Sequence, residues 1–279
     1  MLLPWLLHPE AKTVCSLGLA TGIAASGLEG VEAPPAVTAI ELSANVAEIA
    51  EDNFGDDTNG FFDRAANTII VEDARTFIAA ASSQFDIIVA DLFRPHGIGE
   101  GRLYSVEHFQ NVRNALNDDG VFCQWLPVHQ LNQENFETIA TTFQKVFPET
   151  LVVFGNADRN VPVLGLVSTK DSASWEAKML NAWLKNISPE LIKNDELLAK
   201  ARGLVVGVLK QDAFPNAQVN TLDNLAVEIS AGEFWILKDL RRNRPRANPD
   251  SEFLSGDNLE GFVRQLKKKT TSVFTDIPK

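Results

Sequence analysis

The chain has 279 residues, 45% hydrophobic and 22% charged, which excludes a disordered or fibrous protein and suits one sizeable domain with an appendage. Its formal charge of -12 repels phosphate backbones and argues against nucleic acid as a partner. Residues 1–7 are apolar but stop at His8, Pro9 and Glu10, short of the roughly 20 residues of a bilayer span and without a basic leader, so a soluble, cytoplasmic chain without membrane contact is expected.

In chain order, β-branched runs alternate with helical patterns, the signature of βαβ units on a parallel sheet. Strands are predicted at 13–18, 37–41, 68–71, 85–90 and 121–126, with helices at 43–53, 73–83 and 105–117 between them. A further helix runs over 132–146, followed by strands at 151–154 and 163–167. Beyond Thr169 the pattern weakens: 175–184 and 189–201 look helical, and 241–249, rich in Arg, Asn and Pro, reads as a loop. The expectation is an α/β, Rossmann-like, doubly wound and mostly parallel seven-stranded sheet with a helical C-terminal extension. Its divisions are a catalytic domain at 1–170, a helical extension at 171–240 packed on the same domain, and a basic loop and tail at 241–279. The cluster Arg241, Arg242, Arg244 and Arg246, with Lys267, Lys268 and Lys269 after it, reads as a solvated basic tail. Cys15 and Cys123 each sit in a strand-like run, as buried, reduced thiols do; no disulfide is expected.

The first chemical signal is VCSLGLATGIAA at 14–25, a strand running into a glycine turn and then a small-residue helix. Gly18 and Gly22 permit close approach of a ligand to the backbone, Ala20 stands for a middle glycine, and the helix start offers N–H groups. Alone, the turn is equally compatible with no ligand. Glu41 lies about 20 residues further on, at the end of the next strand, where a carboxylate accepts both ribose hydroxyls; the alternative is a cap ahead of Ser43. Asp73 and Ala74 end the third strand, where a side chain and the next N–H can read adenine, although Asp73 also suits a helix N-cap. Three such strand ends converge on one crevice in an open α/β sheet.

The fourth strand ends in Ala90-Asp91-Leu92-Phe93-Arg94-Pro95, followed by a glycine-rich loop and Leu103-Tyr104-Ser105-Val106-Glu107. With Gly120-Val121-Phe122-Cys123-Gln124-Trp125-Leu126-Pro127, this run resembles the spermidine synthase family of polyamine aminopropyltransferases, in its bacterial spermidine synthase-like branch. The resemblance covers about 7–168 and recurs at Asn220-Thr221-Leu222-Asp223-Asn224-Leu225.

It implies an S-adenosylmethionine-dependent type of transferase in polyamine biosynthesis, with the decarboxylated donor or S-adenosylmethionine itself, no covalently bound cofactor and no metal. Gly18, Ala20, Thr21 and Gly22 would surround the donor's aminopropyl or amino-acid arm, Glu41 would hold the ribose, and Asp73 and Ala74 would meet adenine. Asp91 matches the first acid of the family's Asp-x-x-Asp-Pro motif, which orients and deprotonates the attacking amine, since an ammonium has no lone pair for attack. Gln124, Tyr104 and Arg94 fall near the acceptor, Tyr104 being equally readable as a buried aromatic anchor. His8, His108 and His129 read as surface or supporting residues, and His96 as the one histidine that can reach an active site.

Two departures weigh against polyamine specificity. Arg94 stands where the family has a second acid, and Thr21 where its glycine turn has Asp; both exchanges remove negative charge that would face cations. The family's N-terminal β-hairpin module has no counterpart before the first strand, and is expected to be missing or to belong to a longer protein. The leading expectation is aminopropyl transfer to a small-molecule amine acceptor, with a homodimer left open. A methyltransferase using intact S-adenosylmethionine and a non-catalytic nucleoside-binding scaffold are the alternatives.

Overall fold

The computed structural model describes residues 1–82, 84–91, 94–171, 175, 203–242 and 253–273. The chain divides into two units: Met1–Leu92 with Asn111–Gln124 and Thr169–Asp171, and Phe93–Gln110 with Trp125–Ser168 and Ser172–Lys279.

In the first unit, strands β1 (Thr13–Leu17), β2 (Ala36–Glu41), β3 (Thr68–Val71), β4 (Phe85–Ala90) and β5 (Leu116–Leu126) run parallel in the order β3-β2-β1-β4-β5. The central strands are apolar on both faces, as parallel strands must be: Val14, Cys15, Leu17, Ile87, Ile88 and Ala90 are all fully buried. Register aligns the strand ends. Leu17 pairs with Ile40 and with Ala90, Glu41 with Val71, and Ala90 with Gln124, so five carboxyl termini share one edge. A short helix, α1 (Leu2–Leu7), precedes β1, α2 (Ala44–Phe54) follows β2 and α3 (Ala74–Ala80) follows β3.

At the other end of β1, Asp86 ties three strands together. Its carboxylate accepts the Lys12 and Thr13 amides, the Thr13 hydroxyl and, at 2.7 Å, the Asn117 amide.

The α/β class holds, but the seven-stranded, mostly parallel sheet does not: the described residues carry nine strands, and the arrangement is mixed. In the second unit, β6 (Leu151–Asn156), β7 (Val163–Thr169), β8 (Val205–Leu209) and β9 (Thr270–Thr271) run antiparallel in the order β7-β6-β8-β9. The loop between β6 and β7 is too short for a crossover helix, which leaves an antiparallel hairpin. Helices α4 (Val106–Ala115), α5 (Gln133–Val146), α6 (Ala226–Arg242) and α7 (Asp257–Lys268) complete the described elements. Within this unit Phe136 packs edge-on against Phe214 and Phe262, and Phe143 packs edge-on against Phe109 and, tilted, against Phe147.

The strand β8 interrupts the stretch read as a helical extension, and α7 and β9 occupy part of 241–279, read as loop and tail. Buried Leu259, Phe262 and Leu266 give α7 its apolar face, while Lys267, Lys268 and Lys269 at its end stay exposed. The helices read at 175–184 and 189–201 lie outside the described residues, apart from Trp175, whose indole donates to Glu149 O at 2.9 Å. Among the described residues no helix is long and apolar enough to cross a membrane.

Candidate functional site

At the carboxyl edge of the first unit, β1 breaks into the turn at 18–22 because three residues there take positive φ: Gly18 at 100°, Ala20 at 48° and Gly22 at 78°. A β-carbon on Gly22 would lie 2.8 Å from the Phe62 ring, so this position needs glycine twice over. The amide of Gly18 donates to Ile40 O and that of Gly22 to Leu19 O, which locks the turn. Ala20 is exposed and Thr21 half-buried.

Glu41, the last residue of β2, reaches back to this turn. Its Oε2 accepts the amides of Leu19 and Ala20, at 3.3 and 3.2 Å, and its Oε1 accepts the Ser43 amide at 3.1 Å. The carboxylate thus caps the chain ahead of Ser43 and fastens the glycine turn. Its own carbonyl accepts from Glu72 N, which joins the ends of β2 and β3.

Asp73 N-caps α3, accepting the Arg75 amide at 2.7 Å, and Ala74 is the first helical residue. Burial works against the charged form of Asp73, but the Arg75 amide, the Arg75 guanidinium 3.4 Å away and the Thr76 amide together hold its carboxyl below the usual range. Asp91 directly follows β4; its amide donates to Leu17 O at 3.1 Å and its residue is half-buried. Gln124, fully buried on β5, pairs in register with Ala90, one residue before Asp91. The parallel register therefore brings Gly18, Ala20, Thr21, Gly22, Glu41, Asp73, Ala74, Asp91 and Gln124 to one edge. Such an edge, rich in carboxylates, can accept hydroxyl hydrogen bonds and hold cations. Burial pushes the thiols of Cys15 and Cys123 up, which leaves both as neutral core residues.

Arg94 and Tyr104 belong to the second unit. Arg94 turns outward, its side chain 68% exposed and its guanidinium on Glu100. Tyr104 is fully buried at the end of a 3-10 turn, Glu100–Tyr104. The residue that sequence reasoning left without a role is Asn220. Its amide donates to Thr142 Oγ1, its side-chain nitrogen to Gly101 O, its Oδ1 accepts from Val227 N and its carbonyl from Val106 N. Asn220 opens the run quoted for the family resemblance, and its full burial is what makes it a cross-link. His96 stacks on Trp235, His108 is buried, and His129 Nδ1 lies 3.3 Å from Pro162 O. Among the described residues no three His, Cys, Asp or Glu side chains come together as a metal-ligand group.

Comparison with known proteins fits this geometry. The chain is 27% identical over 171 residues to polyamine aminopropyltransferase 2 of Aquifex aeolicus (strain VF5), a stretch covering 59% of this chain and 31% of that protein. It is 29% identical over 119 residues to the polyamine aminopropyltransferase of Erwinia tasmaniensis, covering 43% of this chain and 41% of the relative. The match thus spans about a third to two fifths of these curated relatives. The spermidine synthase of Thermotoga maritima shares the fold, with a TM-score of 0.53 at 20% identity over 71% of this chain and 67% of its own. So does human methyltransferase-like protein 13 in complex with SAH, with a TM-score of 0.53 at 17% identity over 72% of this chain and 89% of its own. Residues 1–160 match the family described as spermine/spermidine synthase domain, and the chain belongs to that family.

Proposed function

We propose that this chain transfers an aminopropyl group from decarboxylated S-adenosylmethionine to a small-molecule amine. The observation that carries the reading is the register Leu17–Ile40 and Leu17–Ala90, which sets the glycine turn, Glu41 and Asp91 on one edge in a chain of this family. In this reading the turn seats the donor's arm, Glu41 accepts the ribose hydroxyls, and Asp73 with the Ala74 amide meets adenine. Asp91 holds the acceptor amine and takes its proton. The amine lone pair forms the new C–N bond as the C–S bond breaks, its electrons stay on sulfur, and 5′-methylthioadenosine leaves. Gln124 is assigned to the acceptor side. A cytoplasmic location suits Cys15 and Cys123, both free thiols.

The test is product analysis by mass spectrometry with both donor forms and a panel of amines. Methylthioadenosine together with an aminopropylated amine supports the reading, and S-adenosylhomocysteine with a methylated product refutes it in favour of methyl transfer. In Asp91→Asn, turnover should fall on the order of 100-fold or more, with donor affinity nearly unchanged. A rate within about twofold of the parent removes Asp91 as the base.

A further inference from the structure

A groove of about 400 Å³ opens within the second unit between α7 and the end of β6 with the loop that follows it. Its floor is apolar, made by Leu259 and Val263, one turn apart on α7, with Phe154 and Ala157. The helix can spare Val263 for this floor because Phe262 and Leu266 already serve the core, Phe262 edge-on against Phe136, while Val263 stays half-buried. The loop wall is preset by backbone. Gly256 N donates to Arg159 O at 2.7 Å, and the Asn156 and Asp158 side chains accept the amides of Asp158 and Asn160, so the loop keeps its shape without a ligand.

Three cations line the groove, Arg159, Arg264 and Lys267, against one acid, Glu260. Arg159 is engaged: its Nη2 donates to Asp257 Oδ1 at 2.6 Å and lies 3.5 Å from Glu260 Oε1, in pairs exposed enough to exchange at little cost. Arg264 and Lys267, one turn apart on α7, are exposed and have no ion pair among the described residues. In a chain of net charge -12 this is a local reversal of sign. Uncompensated cations beside an apolar floor are the complement of an anion with an apolar body.

The geometry points to a binding site for an organic acid with an apolar body, its carboxylate on Arg264 and Lys267 and its chain along Val263, Leu259 and Phe154. From Leu259 to Lys267 the groove follows about 12 Å of α7, which suits a medium-length chain better than a bare ion. Such a ligand is not the donor of the reaction proposed above, whose sulfonium and ammonium these cations repel.

The test titrates octanoate into the full chain, with acetate and octylamine as controls, and follows amide NMR shifts. Octanoate should move the amides of Ala157, Val263, Arg264 and Lys267 to saturation. Acetate has the head without the body and octylamine the body with the wrong charge, so each should bind at least about tenfold more weakly. The double variant Arg264→Gln with Lys267→Gln, at exposed positions that leave the core intact, should weaken octanoate roughly tenfold and flatten its salt dependence. The inference is overturned if octanoate leaves these amides unmoved, if octylamine matches it, or if the double variant binds it as tightly as the parent. An acidic peptide that moves the same amides where octanoate does not would also overturn it, and would give the groove to a protein partner. Because the readout is binding alone, failure of the aminopropyl-transfer reading leaves this result unaffected.

Discussion

Both Nε and Nη2 of Arg94 donate to Oε1 of Glu100, at 3.0 and 2.8 Å, while the Arg94 amide donates to Oε2 at 2.5 Å. A guanidinium engaged in this way reaches a substrate carboxylate only by exchanging partners. Glu100→Gln weakens the hold, so if Arg94 reads the acceptor, kcat/KM for a carboxylate-bearing amine should rise several-fold, roughly the effect of one released charged hydrogen bond, relative to putrescine. Stability should change by less than about 1 kcal/mol, because the pair is exposed. Acceptor preference that stays fixed in both Glu100→Gln and Arg94→Asp would show that Arg94 does not select substrates.

Asp86 gives a prediction about acid stability. Burial disfavours its charge, but the hydrogen bonds from Asn117, Lys12 and Thr13 win and hold its carboxyl below the usual range. A depressed folded value means that the contribution is complete above the unfolded value of about 3.9 and is lost as pH falls through the folded one. Asp86→Asn should therefore cost about 1–3 kcal/mol at neutral pH. The gap to wild type should close as pH falls below about 4, as followed by denaturant melts across pH. A gap of constant size would show that geometry, not charge, is what Asp86 contributes.

Much of the first unit is legible in the sequence because its central strands are buried on both faces and its edge strand β3 is a short β-branched run. The predicted runs at 37–41, 68–71 and 85–90 differ from β2, β3 and β4 by no more than one residue at an end. The start of β5 at Leu116 is not legible, since Asn117, Asp118, Asp119 and Gly120 spell a turn in isolation and become strand only through pairing such as Phe85 with Leu116. In the second unit, charge hides periodicity: α7 carries Leu259, Phe262 and Leu266 at helical spacing, but Lys267 and Lys268 at its end, with Lys269 just after, invite the reading of a tail. At the site, strand ends point to Glu41 and Asp91, whereas the contact of Glu41 with Leu19 and Ala20 depends on side-chain reach across two strands. No local pattern encodes it.

Gly101 should tolerate no side chain. A β-carbon there would lie 2.8 Å from Glu228 Cα and 2.9 Å from its N, backbone atoms of α6 that cannot turn aside. The Gly101 carbonyl also accepts from buried Asn220, so any shift of the turn strains a second contact. Gly101→Ala is expected to cost about 1–3 kcal/mol, seen as a drop in Tm of several degrees. A variant as stable as the parent would mean that α6 can slide away from the turn without loss.

His96 carries the last prediction, on stability near neutral pH. Its ring stacks on Trp235 at 4.1 Å between centroids and 18° between planes, and its Nδ1 is buried with no hydrogen-bond partner among the described residues. Burial lowers its pKa first, the charge of Arg94 lowers it further, and Glu100 opposes them without prevailing. The folded protein thus prefers neutral His96, whereas the unfolded chain takes up a proton near pH 6.5. With the folded value depressed, the stability it contributes is complete above about pH 6.5 and is lost as pH falls through the folded value. His96→Phe keeps a ring on Trp235 and removes the titration. Between about pH 7.5 and about pH 5, the wild-type Tm should therefore fall more steeply than that of His96→Phe, with the two differing most at the acid end. Parallel slopes would mean that the imidazole protonates in place, and that the stacked pair accepts the charge at no cost.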